Sequence, residues 1–206
     1  MHATREDCEF WLKCALENYA QCLLSGNRYD LVSTFRFVDL WMSNNLSKEV
    51  NTYVMSLLKF EESTLFLKKF RPLIYQLSSR LDMKDNLFYK TVYKFIFEMA
   101  RMFPHDCIWQ LLALSNGDRI PQTQRGAERF NVEVTKKEAA TKILKQLSHF
   151  HGKLIKQMKE LSEAYLELSE LAIDSESKYI TLLGKKLMTP LFRWIFNQVT
   201  FTWKDS

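Results

Sequence analysis

The apolar residues of this chain recur at steps of three and four positions over most of its length. Between residues 5 and 24 the series is Cys8, Trp11, Leu12, Ala15, Leu16, Tyr19, Cys22 and Leu23. Because an α-helix has about 3.6 residues per turn, this spacing places the apolar side chains on one helix face. Only five glycines and four prolines occur among 206 residues, which disfavours sandwiches, barrels and glycine-rich nucleotide loops. The sequence therefore predicts an all-α protein.

Polar residues and prolines mark the ends of about nine predicted helical segments. We expect Asp30, Ser47 and Asp85 to be N-caps, because their side chains can accept hydrogen bonds from the first free backbone N–H groups. Pro72 should kink or start a helix, and Pro104 should start one directly after the preceding helix. The segments pair at a spacing near 40 residues, which is compatible with degenerate TPR- or HEAT-like repeats. The predicted architecture is an α-solenoid of antiparallel helix pairs.

Two segments interrupt this pattern. Residues 116–131 (NGDRIPQTQRGAERFN) are polar, with two glycines and a proline, and predict a flexible loop. Residues 175–206 predict an irregular tail without clear helical periodicity, in which residues 199–203 (VTFTW) alternate as in a short strand. The helical solenoid is accordingly assigned to residues 5–174.

Beyond the loop, the sequence predicts two polar helices, at about 134–149 and 152–174. In the second helix Leu154, Met158, Leu161, Tyr165, Leu168 and Ala172 alternate steps of four and three. This spacing is typical of a coiled-coil seam, so we expect an antiparallel hairpin with Gly152 at or near its corner. His149 and His151 fall at the same corner and would point about 200° apart on a helix, so they do not form a helical metal pair.

Few residues are suited to catalysis or to metal binding. His105 precedes Asp106 at a helix start, but no nucleophile with a defined motif accompanies this pair. Three of the four cysteines (Cys8, Cys14 and Cys22) lie on one predicted helix without CxxC spacing, and are expected to be small apolar residues. No phosphate-loop, zinc-protease, nucleophile-elbow or kinase motif occurs. We therefore predict no catalytic, cofactor-binding or metal-binding residue, and no cofactor for this chain.

The formal net charge of +5 arises from scattered residues. The densest lysine run, from Lys136 to Lys159, is interleaved with Glu138 and Glu160, which favours a solvated helix face over a phosphate track. Trp11, Trp41, Trp109 and Phe95 lie on apolar stripes and are expected in the core rather than on a base-stacking surface. Direct binding to nucleic acid is not expected.

No apolar stretch of the chain reaches the roughly 18 residues that a membrane span needs. The first ten residues, MHATREDCEF, are charged and lack the apolar core of a signal peptide. We expect a soluble intracellular protein without a membrane partner.

Four blocks of sequence, read in order, resemble the FAT region of the phosphatidylinositol 3-kinase-related kinases, most closely the ATM-like members. These blocks are CALENYAQCLLSG at 14–26, KKFRPLIYQLSSRL at 68–81, FPHDCIWQLLALSNGDR at 103–119, and EAATKILKQL with LSEAYLELSELA at 138–147 and 161–172. The block that begins at Phe103 is the most specific of them. The ordered match covers about residues 10–172.

The resemblance implies a regulatory scaffold from a DNA-damage-response serine/threonine kinase of the nucleus, with checkpoint and telomere functions. Catalysis, with ATP and magnesium, would belong to a kinase domain absent from this chain, toward which residues 175–206 would lead. The implied partners are that kinase domain and other regulatory proteins or a dimer mate. Two other hypotheses stay open: a free-standing helical-repeat adaptor that binds proteins, and a nucleic-acid-binding helical domain.

Overall fold

The computed structural model describes residues 5–26, 28–58, 63–117 and 134–170. Within these ranges the chain forms helices and turns and no strand, which confirms the predicted all-α class. The elements are α1 Arg5–Ser25, α2 Asp30–Ser43, α3 Lys48–Leu57, α4 Ser63–Lys69, a 3₁₀ helix Arg71–Leu73, α5 Ile74–Ser78, α6 Leu87–Met102, α7 Pro104–Ser115 and α8 Val134–Glu170. The predicted tail at 175–206 and the predicted loop from residue 118 onward lie outside the described residues. None of the described helices combines the length and apolarity that a bilayer span requires.

The structure divides into two units, Met1–Leu147 and Ser148–Ser206. In the first unit α1 packs on α2, and α6 packs on α7, as expected for consecutive helices joined by short turns. Helix α3 packs mainly on α6, and α4 contacts α1, α2 and α6. Helices that are distant in sequence therefore pack together around α4 and α6.

Five aromatic side chains form the centre of the first unit. They are Phe37 and Trp41 from α2, Phe66 from α4, Phe70 and Phe95. All five are almost completely buried, and their contacting ring centroids lie 4.7 to 6.3 Å apart, mostly in edge-to-face arrangements. Such aromatic pairs contribute about 0.5–1.5 kcal/mol beyond the burial of their surface. The core prediction is confirmed for Trp41 and Phe95.

The prediction of a core position is wrong for Trp11 and Trp109. Trp11 is 68% exposed on α1, beside Phe10 with ring centroids 5.3 Å apart. Trp109 is also exposed on α7, whose buried face is formed by Cys107, Ile108, Leu111 and Leu112. A helix with apolar residues on more than one face leaves some of them in solvent, because its neighbours cover only part of its circumference.

The predicted helix caps are correct at one of three positions. Ser47 caps α3, and its side-chain oxygen accepts a hydrogen bond of 3.3 Å from the Val50 N–H. Asp30 instead is the first residue of α2, where its carboxylate lies near the positive end of the helix dipole. Asn86, rather than Asp85, caps α6 by accepting from the Phe88 N–H at 2.9 Å. The side chain of Asp85 forms an ion pair with Lys90 at 2.5 Å.

Pro72 and Pro104 act as the sequence predicts. Pro72 lies in the 3₁₀ helix that separates α4 from α5, and Pro104 is the first residue of α7. Pro104 needs no N–H donor at this position, because the first backbone N–H groups of a helix have no intrahelical acceptor. Phe103 ends α6 and also precedes α7, so the two helices are joined without a loop.

Beyond the loop, the helical run Val134–Glu170 consists of two helices that meet at a kink, where His151 is non-helical. Its φ of −128° and ψ of 34° break the helical geometry one position before Gly152. The predicted break between two helices at or near Gly152 is confirmed, and their antiparallel pairing stays a prediction. Glycine weakens a helix locally, and here the interruption involves a single residue. Of the predicted seam, Met158 and Leu161 are buried, whereas Tyr165 is exposed.

Candidate docking groove

A groove with a volume of about 730 Å³ opens on the surface of the first unit. It lies where the start of α2, the end of α4, the 3₁₀ helix and the start of α7 meet. Its lining residues are Asp30, Leu31, Leu65, Lys68, Lys69, Arg71, Pro72 and Asp106. This volume lies within the range of ligand sites, and the lining combines leucines with charged side chains.

Lys69 forms one side of the groove. Its ammonium group donates to the carboxylate of Asp30 and, at 3.3 Å, to the backbone carbonyl of Gly26. Only 9% of the Lys69 side chain is exposed, so this ion pair is largely removed from water. A cation at the carboxyl end of α1 and a carboxylate at the amino end of α2 are both favoured by the helix dipoles. Lys69 therefore ties the end of α4 to the turn between α1 and α2.

Arg71 and Asp106 form a second ion pair in the lining of the groove. Arg71 Nε lies 2.6 Å from one carboxylate oxygen of Asp106, and its Nη2 donates to the other at 3.1 Å. The guanidinium carbon also lies 5.2 Å from the centre of the Phe103 ring. The hydrogen bond to Asp106 raises the pKa of Arg71, although burial acts in the opposite direction. This ion pair, with one hydrogen bond from Nη2, joins the 3₁₀ helix to the first turn of α7.

The rim of the groove is apolar and exposed. Leu31 is 63% exposed and Leu65 is 44% exposed. Leu31 continues along α2 into Val32 and Phe35, which are also exposed and fall within an arc of about 100° on the helix. We call Leu31, Val32 and Phe35 the α2 stripe. Neighbouring apolar side chains in water favour association with another apolar surface.

Leu31 and Phe35 recur at the helical spacing that is typical of a buried face, but both are exposed. The buried face of α2 is formed by Ser33, Thr34, Phe37 and Trp41. The groove itself was not predicted, because Lys69 is 39 positions from Asp30, and Arg71 is 35 positions from Asp106. One available signal was the excess of apolar residues on α2, which is more than a single buried stripe can contain.

His105 and Asp106 were considered as a pair for acid–base chemistry, but Asp106 forms an ion pair with Arg71. The carboxylate of Asp106 binds Arg71, and His105 is exposed on the first turn of α7. The neighbouring Cys107 is buried, and desolvation, together with the charge of Asp106, raises the pKa of its thiol to about 12. A thiol with this pKa is protonated at neutral pH and is a poor nucleophile.

The other cysteines and the histidines are dispersed. Cys8 is exposed, and Cys14 and Cys22 are half-buried along α1, where Cys22 accepts a hydrogen bond from Ser33 at 3.3 Å. Across the described ranges, no three His, Cys, Asp or Glu side chains are grouped in a way that could hold a metal ion.

A second buried charge anchors α8. The Asp82 side chain is 3% exposed and accepts from the Met83 N–H at 2.6 Å and the Lys84 N–H at 3.2 Å. Burial disfavours its charge most strongly, but hydrogen bonds from Lys84, Thr135 and Met83 together lower the pKa of Asp82. Because Thr135 lies in the first turn of α8, this carboxylate joins the loop before α6 to that helix.

The lysine-rich face of α8 carries balancing acids. Lys156 lies 4.0 Å from Glu160, and Lys159 lies 3.9 Å from Glu163, each four positions along the helix. Exposed pairs at this spacing contribute only about 0.3–0.5 kcal/mol each. These contacts are typical of a solvated helix face. Whether the chain binds nucleic acid stays a prediction.

Comparison with known proteins gives a consistent set of relatives. The chain is 42% identical over 170 residues to the serine/threonine-protein kinase ATM of Arabidopsis thaliana. This match covers 80% of this chain and 4% of that protein. It is 28% identical over 187 residues to the serine-protein kinase ATM of Sus scrofa. This match covers 83% of this chain and 6% of that protein. It is 26% identical over 184 residues to the serine/threonine-protein kinase TEL1 of Saccharomyces cerevisiae. This match covers 87% of this chain and 6% of that protein. No protein-family model matches the chain.

A solved structure shares the fold. The open conformation of CtTel1 superposes with a TM-score of 0.67 at 20% identity, covering 88% of this chain and 7% of that chain. Together with the packed helix pairs, this likeness defines the chain as an α-helical solenoid segment. More particularly, the chain is homologous to a segment of the ATM and Tel1 serine/threonine kinases, as its sequence resemblance indicated. It spans only about 4–6% of the length of these curated relatives.

Proposed function

We propose that this chain is a regulatory scaffold segment of an ATM-like DNA-damage-response kinase and is non-catalytic in itself. The observation that carries the proposal is the 42% identity to an ATM kinase over 80% of the chain. In this proposal phosphoryl transfer, with ATP and magnesium, takes place in a kinase domain of the parent protein. The parent acts in the nucleus in checkpoint, DNA-repair and telomere maintenance.

The physical role that we propose is mechanical. The ion pairs of Lys69 with Asp30 and of Arg71 with Asp106 join helices that are distant in sequence, so the segment resists bending at the groove. A stiff helical stack that contacts a kinase domain differently in its active and inactive arrangements shifts the balance between them. Contacts worth a few kcal/mol are sufficient for a shift of this kind. The proposed partners are the kinase domain, other regulatory proteins or a dimer mate.

A chimaeric kinase tests this proposal. The homologous segment of full-length Arabidopsis thaliana ATM is replaced by the present chain, and phosphorylation of a Ser-Gln peptide is compared with that of the unmodified kinase and of a segment deletion. We expect the chimaera to retain regulated activity and the deletion to lose it. A matched chimaera that carries Trp41→Ala, which removes a buried core side chain, should behave like the deletion. If the deletion and the chimaera are equally active and equally regulated, the proposal is wrong.

A second function, a free-standing protein-binding adaptor, is favoured by one observation, the exposed α2 stripe. An adaptor would bind its partner with full affinity as an isolated 206-residue chain and would not change kinase activity in the chimaera. The two functions therefore give opposite results in the same experiment.

A further inference from the structure

We propose that the α2 stripe and the adjoining groove bind an acidic amphipathic helix of a partner protein. The inference concerns a surface of this chain and stands whether or not the chain regulates a kinase. It rests on the shape of the groove, on the exposed apolar stripe and on the charges at their border.

The apolar part of the surface has the geometry that a helix recognises. Leu31 and Phe35 are four positions apart on α2, and Val32 lies beside them, so the stripe runs along the helix for more than one turn. Leu65, from α4, lines the same groove as Leu31 and is also exposed. A partner helix with apolar residues at steps of three and four can place one in the groove and others along the stripe.

The charges at the border favour an acidic partner. Arg28 precedes the stripe, Arg36 lies beside it and Lys68 lines the groove, and none of these three pairs with an acid in the part of the chain that the structure describes. The acids inside the groove are already neutralised by Lys69 and Arg71. The one exposed acid that follows the stripe on α2 is Asp39.

The net charge around the apolar surface is therefore positive. Glutamates that flank the apolar face of a partner helix would lie close to Arg36 and Lys68. The same cations would repel a basic helix, so charge gives specificity as well as affinity.

The test measures binding of synthetic helical peptides to the full 206-residue chain by fluorescence anisotropy. The first peptide has about 18 residues, or roughly five turns, with leucines at steps of three and four and glutamates elsewhere. Two control peptides replace the leucines by glutamine or the glutamates by lysine. We expect only the acidic, leucine-bearing peptide to bind, with an affinity that falls as salt is raised.

Substitutions on the protein locate the site. The double variant Leu31→Gln, Phe35→Ser removes exposed apolar surface and should weaken binding by about tenfold or more, since burying one such side chain is worth about 1.5–3 kcal/mol. Lys68→Glu should weaken binding by roughly threefold or more, because a cation at the border becomes an acid. Matched controls are Leu46→Gln, at an exposed leucine outside the surface, and Lys48→Glu on α3. Circular dichroism verifies that every variant is folded.

Several results overturn the inference. These are no binding of any peptide, equal binding of the acidic and basic peptides, or equal weakening by the stripe variants and the matched controls. Sedimentation of the chain without peptide provides a further outcome. If the chain dimerises and the Leu31→Gln, Phe35→Ser variant does not, the occupant is a second copy of this chain, and the acidic-partner inference is wrong. The chimaera experiment can fail or succeed independently of each of these results.

Discussion

Trp41 donates a hydrogen bond of 3.0 Å from its indole Nε1 to the side-chain oxygen of Asn51, and both residues are buried. The amide nitrogen of Asn51 in turn donates to the carbonyls of Asn45 at 2.8 Å and Ser47 at 2.7 Å. One buried amide therefore satisfies the core tryptophan of α2 and closes the turn into α3. A buried polar group of this kind is stabilising only while all its partners are present.

Replacement of Asn51 tests this connection. Asn51→Ala should lower the free energy of unfolding by about 1–3 kcal/mol or more, because the indole N–H and two carbonyls lose their partner. Urea denaturation monitored by circular dichroism measures the change. The control is Thr52→Ala, at an exposed neighbour on the same helix, which should change stability by less than about 0.5 kcal/mol. Equal effects of the two substitutions would contradict the proposed role of the buried amide.

The aromatic core provides a second prediction. Phe95→Ala should destabilise the protein by about 3–5 kcal/mol, since it leaves a cavity among Trp41, Phe66 and Phe70. Trp11→Ala removes a larger side chain from an exposed position and should cost less than about 1 kcal/mol. The midpoint of thermal unfolding compares the two variants. A larger loss for Trp11 than for Phe95 would show that the core lies elsewhere.

Cys107 should be chemically inert in the folded protein. Its thiol pKa of about 12 leaves about one thiolate in ten thousand at pH 8, and the side chain is buried. Alkylation by iodoacetamide at pH 8, followed by mass spectrometry, should modify Cys8 readily and Cys107 only after denaturant is added. Labelling of both residues at similar rates in the native protein would contradict this placement of Cys107.

Glu98 should make the stability of the protein depend on pH in the acid range. Lys94 lies 3.0 Å and Arg101 lies 2.8 Å from its two carboxylate oxygens. Burial opposes the charge of Glu98 most strongly, but hydrogen bonds from Arg101 and Lys94 and their charges together lower its pKa. A carboxyl group whose folded pKa is lowered binds more protons in the unfolded state, so its contribution is present above the ordinary pKa and is lost as pH falls through the folded pKa.

The measurement for Glu98 is the urea midpoint at several values between pH 7 and pH 3. We expect Glu98→Gln to be less stable than the native chain at pH 7 and to lose less stability as pH falls. Glu138→Gln, at an exposed position on α8, is the matched control and should follow the native profile. Parallel profiles for the native chain and Glu98→Gln would exclude a contribution from this carboxylate.

The Arg71–Asp106 pair allows a direct measurement of the coupling between the 3₁₀ helix and α7. A double-mutant cycle with Arg71→Met and Asp106→Asn should give a coupling energy of about 0.2–1 kcal/mol, because both side chains are more than one-third exposed and solvent screens their charges. Lys13 and Glu17, an exposed pair at 3.8 Å on α1, provide the comparison cycle and should couple more weakly. A groove cycle that is weaker than this comparison would argue against the pair as a fixed contact.

Sequence periodicity succeeded best on α6. The spacing of Phe88, Val92, Phe95, Ile96 and Met99 places them on one helix face, and all five are buried. This helix has neighbours along its length, so the apolar face that the spacing defines is also the face that the fold covers.

The same reasoning failed on α2. Its apolar residues occupy more than one face, and spacing alone does not decide which face is covered. Contacts with α1 and α4 bury Phe37 and Trp41 and leave Leu31 and Phe35 in solvent. The candidate groove depends on these same contacts and could not be predicted from local spacing.

By itself, the sequence determined the helical class, most helix positions, the breaks at Pro72 and Pro104 and the resemblance to ATM-like kinases. These properties follow from backbone hydrogen bonding and from periodicity within a few turns, so neighbouring residues carry the information. The tertiary structure alone decided which apolar faces are buried and how Lys69 meets Asp30 and Arg71 meets Asp106. These contacts join residues more than thirty positions apart, and their free energy exists only when the helices have packed.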